Sequence, residues 1–222
     1  MASLLPKLPL LLVTDLRQAR WPFGSIVECA YDAGCRWISI REKHLPREQQ
    51  IALAAEARVG AQGDMCVTIH GDAELARDAW ADGVHLSSGS DPIATRTLLG
   101  EGALIGLSVH SLAEIDALSE EARAALDYVI AGPAHPTASK PGYRGEFTET
   151  GYAALVCRCG TLPVVAIGGI EPGNIAPLID QGVTGIAVMG GVMRAPDAGL
   201  AVHSYLAALE AAHAKRVTGR SR

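Results

Sequence analysis

Short apolar runs recur along this chain about every 25 residues, and the segments between them carry a helical pattern. Each run is too short to be a helix, and several are apolar at almost every position, which is typical of strands buried on both faces of a parallel sheet. The chain contains eight such runs, at residues 9–14, 37–41, 65–70, 83–86, 104–108, 128–131, 164–167 and 185–188. The sequence therefore repeats a unit of one strand followed by one helix.

Capping signals indicate where the helices of this repeat begin and end. Two capping boxes and two prolines predict helix starts: Ser25 with Glu28, Ser111 with Glu114, Pro46, and Pro92 behind Asp91. Glycine readily takes the left-handed conformation that follows a helix, and three glycines predict helix ends: Gly34, Gly83 and Gly182.

Eight strand–helix units in 222 residues predict an α/β fold, the (β/α)8 TIM barrel, as a single domain over residues 1–222 with a flexible tail at 215–222. An open, doubly wound sheet is the alternative. Such a sheet places a Gly-x-Gly-x-x-Gly phosphate loop after its first strand. In this chain the pairs Gly168-Gly169 and Gly190-Gly191 follow the seventh and eighth runs instead, which favours the barrel.

The composition excludes several classes of protein. Hydrophobic residues make up 49% of the chain, so it has enough apolar side chains for a core and is not a disordered protein. The net charge of −5 contains no block of like charge and gives no indication of nucleic-acid binding. No segment fits a signal peptide or a membrane span, and five cysteines fit neither a zinc site nor a disulfide framework. We expect a cytoplasmic protein, and the sequence leaves open whether it forms a homo-oligomer.

Polar residues and glycines close the predicted strands, and in a (β/α)8 barrel the active site lies at the carboxyl ends of the strands. The loops after the seventh and eighth strands usually form a phosphate pocket. The backbone amides of Gly168-Gly169 and Met189-Gly190-Gly191 are therefore candidates for binding phosphate. The alternative is that these glycines only allow turns.

Cationic and hydroxyl side chains follow the second and sixth strands. Arg41 and Lys43 stand at alternate positions, so both can face the same side and bind an anionic group. In the loop 136–140, Thr137, Ser139 and Lys140 suit a pyrophosphate or a carboxylate. Solvated charged turns are the alternative for both segments.

Histidines lie at or near the ends of four consecutive predicted strands: His70, His85, His110 and His135. A metal cluster is one interpretation. Against it, His85 lies within its apolar run, where a hydrogen-bonded core histidine is the simpler explanation. His110 stands in the loop beyond its strand, where an imidazole can exchange protons near neutral pH, although a plain loop histidine is the alternative.

Taken together, these residues resemble the thiamin phosphate synthase superfamily, whose members share a (β/α)8 barrel. The resemblance extends from about the first strand to the last helix. Its motifs are Ile40-Arg41-Glu42-Lys43, Gly83-Val84-His85-Leu86, the segment 127–133, Pro136-Thr137-Ala138-Ser139-Lys140, and the segments 165–170 and 185–189.

The resemblance also implies a magnesium site that this sequence does not complete. A synthase of the family typically carries Gln before its Arg-x-Lys, an Asn-Asp pair after the third strand and an Asp beyond the fourth, and the two aspartates hold the metal. The residues at these places are Ser39, His70-Gly71 and Ser90. Magnesium prefers oxygen ligands, and neither glycine nor one serine replaces a carboxylate. Asp72 and Asp91 each stand one residue further along, so a local shift of register could restore the site.

The same departures resemble the TenI-type branch of the superfamily, the thiazole tautomerases. In that branch glycine replaces the metal aspartate, Ser-Gly-Ser follows the fourth strand, as Ser88-Gly89-Ser90 does in this chain, and Ser-Val-His-Ser matches residues 108–111. The resemblance implies that His110 is the catalytic acid–base residue and that no metal or other cofactor is needed. It implies a small thiazole phosphate as partner, bound by Arg41, Lys43, Ser88, Ser108, Thr137, Ser139, Lys140, Gly168, Gly169, Met189, Gly190 and Gly191.

The implied reaction is a proton shift that makes a thiazole phosphate carboxylate aromatic. One alternative is thiamin phosphate synthase itself, which joins an aminopyrimidine pyrophosphate to thiazole phosphate with magnesium. The synthase-like loop 136–140 keeps this alternative open. A third hypothesis is a catalytically silent barrel that binds thiazole or thiamin phosphates as a regulator or carrier. Neither nucleic acid nor a membrane is expected as a partner.

Overall fold

The computed structural model describes residues 4–137, 147 and 151–219, and within this part of the chain eight parallel strands form a closed sheet surrounded by helices. Every predicted strand is present, with its ends within one residue of the predicted ones. The strands are β1 (Leu10–Val13), β2 (Trp37–Ile40), β3 (Cys66–His70), β4 (Gly83–Leu86), β5 (Leu104–Val109), β6 (Tyr128–Ala131), β7 (Val164–Ile167) and β8 (Gly185–Val188).

The sheet closes because each strand pairs with the next and β8 pairs with β1. Leu12 shows this closure, since its Cα partner on β2 is Ile38 and its partner on β8 is Val188. The predicted (β/α)8 barrel is confirmed. The alternative of an open sheet is wrong, because an open sheet would leave two edge strands.

The described part of the chain contains ten α-helices and two short 3₁₀ turns, at Leu16–Gln18 and Pro172–Asn174. None of the described helices is both long enough and apolar enough to cross a membrane. The helices are α1 (Phe23–Asp32), α2 (Arg47–Gly60), α3 (Ala73–Asp78), α4 (Pro92–Leu99), α5 (Leu112–Asp116), α6 (Glu120–Ala124), α7 (Gly151–Cys159), α8 (Ala176–Asp180), α9 (Gly190–Met193) and α10 (Ala198–Gly219). Because α10 extends to Gly219, it includes the first residues of the predicted tail 215–222.

Side chains alternate along each strand between the surrounding helices and the barrel interior. Gly106 on β5 leaves room for the ring of Tyr128, which a Cβ at position 106 would overlap. The interior cluster consists of Leu11, Val13, Trp37, Leu104, Tyr128, Ile130, Val165 and Ala187. Among the described residues the middle of the barrel is therefore a packed core, as in other barrels of this kind, whose ligands bind at the carboxyl ends of the strands.

Three helices that follow strands begin with a side-chain cap. Asp72 accepts the peptide N–H of Leu75 at the start of α3, Asp91 accepts two N–H groups of α4, and Ser111 accepts that of Glu114 in α5. The predicted starts at Pro92 and Ser111 are thereby confirmed. These caps hold the first turn of each helix against the carboxyl end of the strand that precedes it.

Other capping predictions were wrong in detail. Ser25 lies inside α1, which begins two residues earlier at Phe23, and Pro46 is the cap residue before α2.

Two of the three glycines predicted to end helices are confirmed: Gly34 and Gly182 adopt φ values of +102° and +103°, as expected after a helix. Gly83 instead belongs to β4, because α3 ends at Asp78 and Trp80 takes the left-handed conformation with φ of +52°.

Candidate active site

The carboxyl ends of the eight strands and the loops that follow them form one end of the barrel, which we call the mouth. The described candidate residues all belong to it: Arg41 and Lys43 after β2, Ser88 after β4, Ser108 and His110 at β5, Thr137 after β6, Gly168-Gly169 after β7 and Met189-Gly190-Gly191 after β8. Ser139 and Lys140 lie outside the described residues. The topology therefore brings together groups that are up to 150 residues apart in the chain.

Hydrogen bonds to the loop after β1 hold the chain that follows β2. The peptide N–H of Arg41 donates to the Thr14 hydroxyl at 2.8 Å. Glu42 is fully buried, and both of its carboxylate oxygens accept the peptide N–H of Leu16, at 3.0 and 3.1 Å. Glu42 is thus turned toward the loop after β1, whereas the positive charges of Arg41 and Lys43 both act on His70 at the end of β3.

Lys43 lies against the glycine that follows β3. A Cβ built on Gly71 would be 3.1 Å from the Lys43 Nζ atom and 3.6 Å from the Ser87 hydroxyl. Gly71 also has φ of +96°, a conformation that residues with a side chain rarely adopt. An ammonium group thus lies beside the residue at which the resemblance to a synthase would require an aspartate.

The two aspartates one residue further along do not supply that carboxylate. Asp72 and Asp91 are both exposed, and their carboxylates accept backbone N–H groups at 2.8 to 3.1 Å as helix caps. Within residues 4–137, 147 and 151–219, no group of three or more His, Cys, Asp and Glu side chains is arranged to hold a metal ion. The described residues do not fit a magnesium ion, which requires several oxygen ligands at short distance.

Two imidazoles lie side by side below the mouth. His70 and His85 are register partners on β3 and β4, and their ring centroids are 4.9 Å apart. Burial, together with the positive charges of Lys43 and Arg41, lowers the pKa of His70 to about 3. Burial also holds the pKa of His85 well below its ordinary value, with His70 and Lys43 acting in the same direction. Both rings are therefore neutral at physiological pH.

A hydrogen bond connects the buried His85 ring to Ser108 at the mouth. Its Nε2 atom is 2.8 Å from the Ser108 hydroxyl oxygen, while its Nδ1 atom is buried without a hydrogen-bond partner among the described residues. His85 itself is only 1% exposed. The prediction of a hydrogen-bonded core histidine is confirmed, and Ser108 is the half-buried end of this pair.

His110 is half-buried in the loop between β5 and α5, and a carboxylate holds its backbone. The peptide N–H of His110 and the Ser88 hydroxyl both donate to the same Glu114 oxygen, each at 2.9 Å. The His110 Nδ1 atom is 3.4 Å from the carbonyl oxygen of Gly132. If Nδ1 carries the proton for that contact, Nε2 keeps the lone pair that a general base uses.

Close packing requires glycine at both glycine pairs, a reason that the sequence did not reveal. A Cβ on Gly168 would lie 2.7 Å from Pro133, and one on Gly169 would lie 2.7 Å from the His135 Cβ, so the loop after β6 packs directly on them. Gly190 and Gly191 start α9 beneath the Arg194 guanidinium and the Tyr205 hydroxyl. Turn geometry and close packing explain these glycines, and phosphate binding by their amides stays a prediction.

Sequence reasoning missed Glu42 and Glu114 as residues that shape the mouth. Glu114 was recognised only as the acidic member of a capping box, in which it would bind the backbone of Ser111. Its carboxylate instead binds the backbone of His110 and the hydroxyl of Ser88. No local pattern indicates the second contact, because residues 88 and 114 are brought together only by the pairing of β4 with β5.

The closed sheet, the packed interior and the polar groups gathered at one end place the protein in a general class. It is a (β/α)8 barrel, and in enzymes of this fold the active site lies at the carboxyl ends of the strands.

Comparison with known proteins identifies the family. The family model described as thiamine monophosphate synthase matches residues 10–192, so the chain belongs to that family and lies among enzymes of thiamine biosynthesis. The thiamine-phosphate synthase of Bacteroides thetaiotaomicron is 34% identical over 80% of this chain and 87% of that protein. Thiamine phosphate pyrophosphorylase from Pyrococcus furiosus has a similar structure, with a TM-score of 0.78 and 28% identity over 91% of this chain and 96% of that one.

Some relatives are longer proteins. The bifunctional thiamine biosynthesis protein ThiM/ThiE of Symbiobacterium thermophilum is 39% identical to 82% of this chain, which spans 37% of that protein's length. Two of these three names, those of the Bacteroides thetaiotaomicron and Pyrococcus furiosus proteins, refer to the synthase reaction, and none of the three refers to a tautomerase.

Proposed function

We propose that this protein is a thiazole tautomerase of thiamine biosynthesis, which converts a non-aromatic thiazole phosphate carboxylate into its aromatic isomer. One observation carries the proposal: the mouth has Lys43 against Gly71, and the nearby carboxylates of Asp72 and Asp91 cap helices. This arrangement suits an anionic substrate better than a magnesium ion.

The reaction needs only a base that gives its proton back. A ring C–H bond breaks, the proton goes to the base, and a new C–H bond forms at the exocyclic carbon, so that no electron leaves the substrate. Aromatisation makes the step favourable. We assign the proton transfer to the Nε2 atom of His110, because the contact of Nδ1 with Gly132 and the anchoring of its backbone by Glu114 orient the ring.

In this proposal the remaining candidate residues bind different parts of the substrate. Arg41 and Lys43 lie together at the β2 end of the mouth and would bind the carboxylate. The backbone amides at Gly168-Gly169 and Gly190-Gly191 would bind the phosphate. Ser108 would contact the substrate from β5.

Thiamine-phosphate synthase is the second candidate, and the names of the relatives favour it. The loop 136–140 also resembles the pyrophosphate-binding loop of synthases, although only its first two residues are described. The magnesium ion that the resemblance assigns to the synthase reaction does not fit the described side chains, and this disagreement supports the tautomerase proposal.

In the decisive experiment the purified protein is assayed in parallel with the substrates of the two candidate reactions. In one assay the non-aromatic thiazole phosphate carboxylate is followed to its aromatic product, with and without EDTA. In the other, aminopyrimidine pyrophosphate, thiazole phosphate and magnesium are incubated and thiamin phosphate is measured. We expect aromatisation that survives EDTA. Thiamin phosphate formation that is lost with EDTA and restored by magnesium would establish the synthase instead. Ligand-induced thermal stabilisation without turnover in either assay would favour the silent regulator.

The same assay tests the base. His110→Ala should lower kcat by about 10²–10⁴-fold, because this is the usual contribution of a positioned general base. His203→Ala is the matched control, since His203 is exposed on α10, away from the mouth. If His110→Ala aromatises the substrate as fast as the parent while it still binds product, the assignment of the base is wrong.

A further inference from the structure

Four rings contact one another in a row inside the barrel. The centroid of Trp37 is 4.8 Å from that of Tyr128, Tyr128 is 5.6 Å from His85, and His85 is 4.9 Å from His70. The Tyr128 and His85 rings are within 25° of parallel. Held between two neighbours, the His85 ring has little freedom to rotate, so the positions of its two nitrogens are fixed.

The two nitrogens of His85 have different surroundings. Nε2 is 2.8 Å from the Ser108 hydroxyl, and Nδ1 is buried with no hydrogen-bond partner in the described part of the chain. Because burial keeps this imidazole neutral, it carries a single N–H, on one nitrogen or the other. The position of this proton decides whether the Ser108 hydroxyl can donate a hydrogen bond to a ligand or can only accept one.

The energetic cost of the two tautomers differs. If the proton were on Nδ1, a buried N–H would have no acceptor, and orphaned buried donors are rarer in proteins than acceptors without a donor. With the proton on Nε2, the N–H donates to the Ser108 oxygen and only a lone pair is left unpaired. The Ser108 hydroxyl hydrogen is then free to donate into the mouth.

We propose that His85 is a positioning residue that makes Ser108 a hydrogen-bond donor to the substrate, and that the pair selects ligands with a carboxylate oxygen at this point. Lys43 stands on the same side of the mouth, close enough to act electrostatically on both His85 and His70. A carboxylate there would receive one bond from an ammonium group and one from a neutral hydroxyl. The identity of the ligand rests on the proposed function.

The tautomer is measured on the free protein. Nitrogen-15 NMR of the imidazoles, with His85→Gln used to assign the His85 signals, should show a protonated Nε2 and a bare Nδ1. This pattern should not change between about pH 5 and pH 8, because a neutral buried imidazole does not titrate there. A proton on Nδ1, or a ring that titrates in this range, overturns the proposal whatever the reaction is.

Ligand selection is measured by calorimetry with two probes, the aromatic thiazole phosphate carboxylate and the same thiazole phosphate without its carboxylate. His85→Phe and Ser108→Ala should each weaken binding of the first probe about tenfold or more, as expected for a lost hydrogen bond to a charged group. Both should leave the second probe nearly unchanged. The double variant should be no worse than either single one, because both remove the same bond.

Two further variants control for structural effects. His85→Gln keeps an amide donor and should recover part of the affinity. His213→Gln removes a half-buried histidine that bonds the Thr184 carbonyl just before β8, away from the mouth, and should change neither affinity. Equal weakening of both probes, or additive effects, overturns the proposal while the tautomerase assignment stands. If the parent binds neither probe, the selection of carboxylates and the proposed function both fail.

Discussion

A single carboxylate links two loops of the mouth. Glu114 accepts the His110 peptide N–H and the Ser88 hydroxyl with the same oxygen, and its own N–H donates to Ser111. The loop after β4 and the loop after β5 are therefore tied together at the candidate base. A carboxylate that accepts two hydrogen bonds holds a loop more firmly than a neutral acceptor does.

Removing the Glu114 carboxylate should leave His110 in the chain but shift it from its position. We expect Glu114→Ala to lower kcat about tenfold to a hundredfold, because small misplacements of a catalytic group carry penalties of this size. Glu114→Gln keeps an acceptor oxygen and should lose less. Steady-state kinetics of aromatisation measure the effect, with Glu120→Ala, an exposed glutamate in the first turn of α6, as the control. An unchanged kcat in Glu114→Ala would show that the loop holds His110 without it.

At the scale of elements, strand ends and helix caps together build the mouth. Asp72, Asp91 and Ser111 each follow a strand and cap the next helix. The short connections leave each carboxylate or hydroxyl close to the mouth but bonded to the helix backbone. Their proximity to the site is thus a consequence of capping.

The capping role of Asp91 can be separated from a metal-binding role. Asp91→Ala should lower the free energy of unfolding by about 0.5–2 kcal/mol, the usual cost of a lost cap. Asp91→Ser, which keeps a capping oxygen, should restore most of it. Both variants should retain the turnover of the parent at a temperature where they are folded. If both fold normally and lose activity, Asp91 takes part in the chemistry.

At the scale of the whole molecule, the barrel carries neutral histidines in its interior. The folded-state pKa of His70 is about 3, below its ordinary value of 6.5, and that of His85 is lowered in the same direction. Below about pH 6.5 the unfolded chain binds protons at these residues that the folded barrel does not. Stability should therefore fall as the pH decreases from this value toward 3.

The contribution of His70 to this acid sensitivity is measurable. Each such histidine should remove about 1.4 kcal/mol of unfolding free energy per pH unit once the pH is well below 6.5. Urea unfolding between about pH 4.5 and pH 6 gives the slope of stability against pH. His70→Gln should reduce this slope by the contribution of one histidine, about 1.4 kcal/mol per pH unit. An equal slope in the variant and the parent would mean that His70 is protonated in the folded state.

The elements and the location of the candidate site follow from the sequence by itself. Strand positions depend on local apolar runs, the barrel on their number and spacing, and the mouth on which residues close each run. His85 as a core residue and His110 at the rim could be predicted in the same way, because position within or beyond an apolar run is a local property. The resemblance that led to the family also depends on short motifs within single strand–helix units.

Only the tertiary structure decided which groups meet at the mouth. Lys43 against Gly71, Glu114 with Ser88, and His85 with Ser108 are contacts between different strand–helix units. They depend on the register of paired strands, and a shift of one residue would reverse the side on which each side chain lies. Asp72 and Asp91 could be metal ligands or caps until the backbone showed which N–H groups they accept. The physical reason is the same throughout: local sequence sets the conformation of each unit, and the closure of the sheet sets the distances between units.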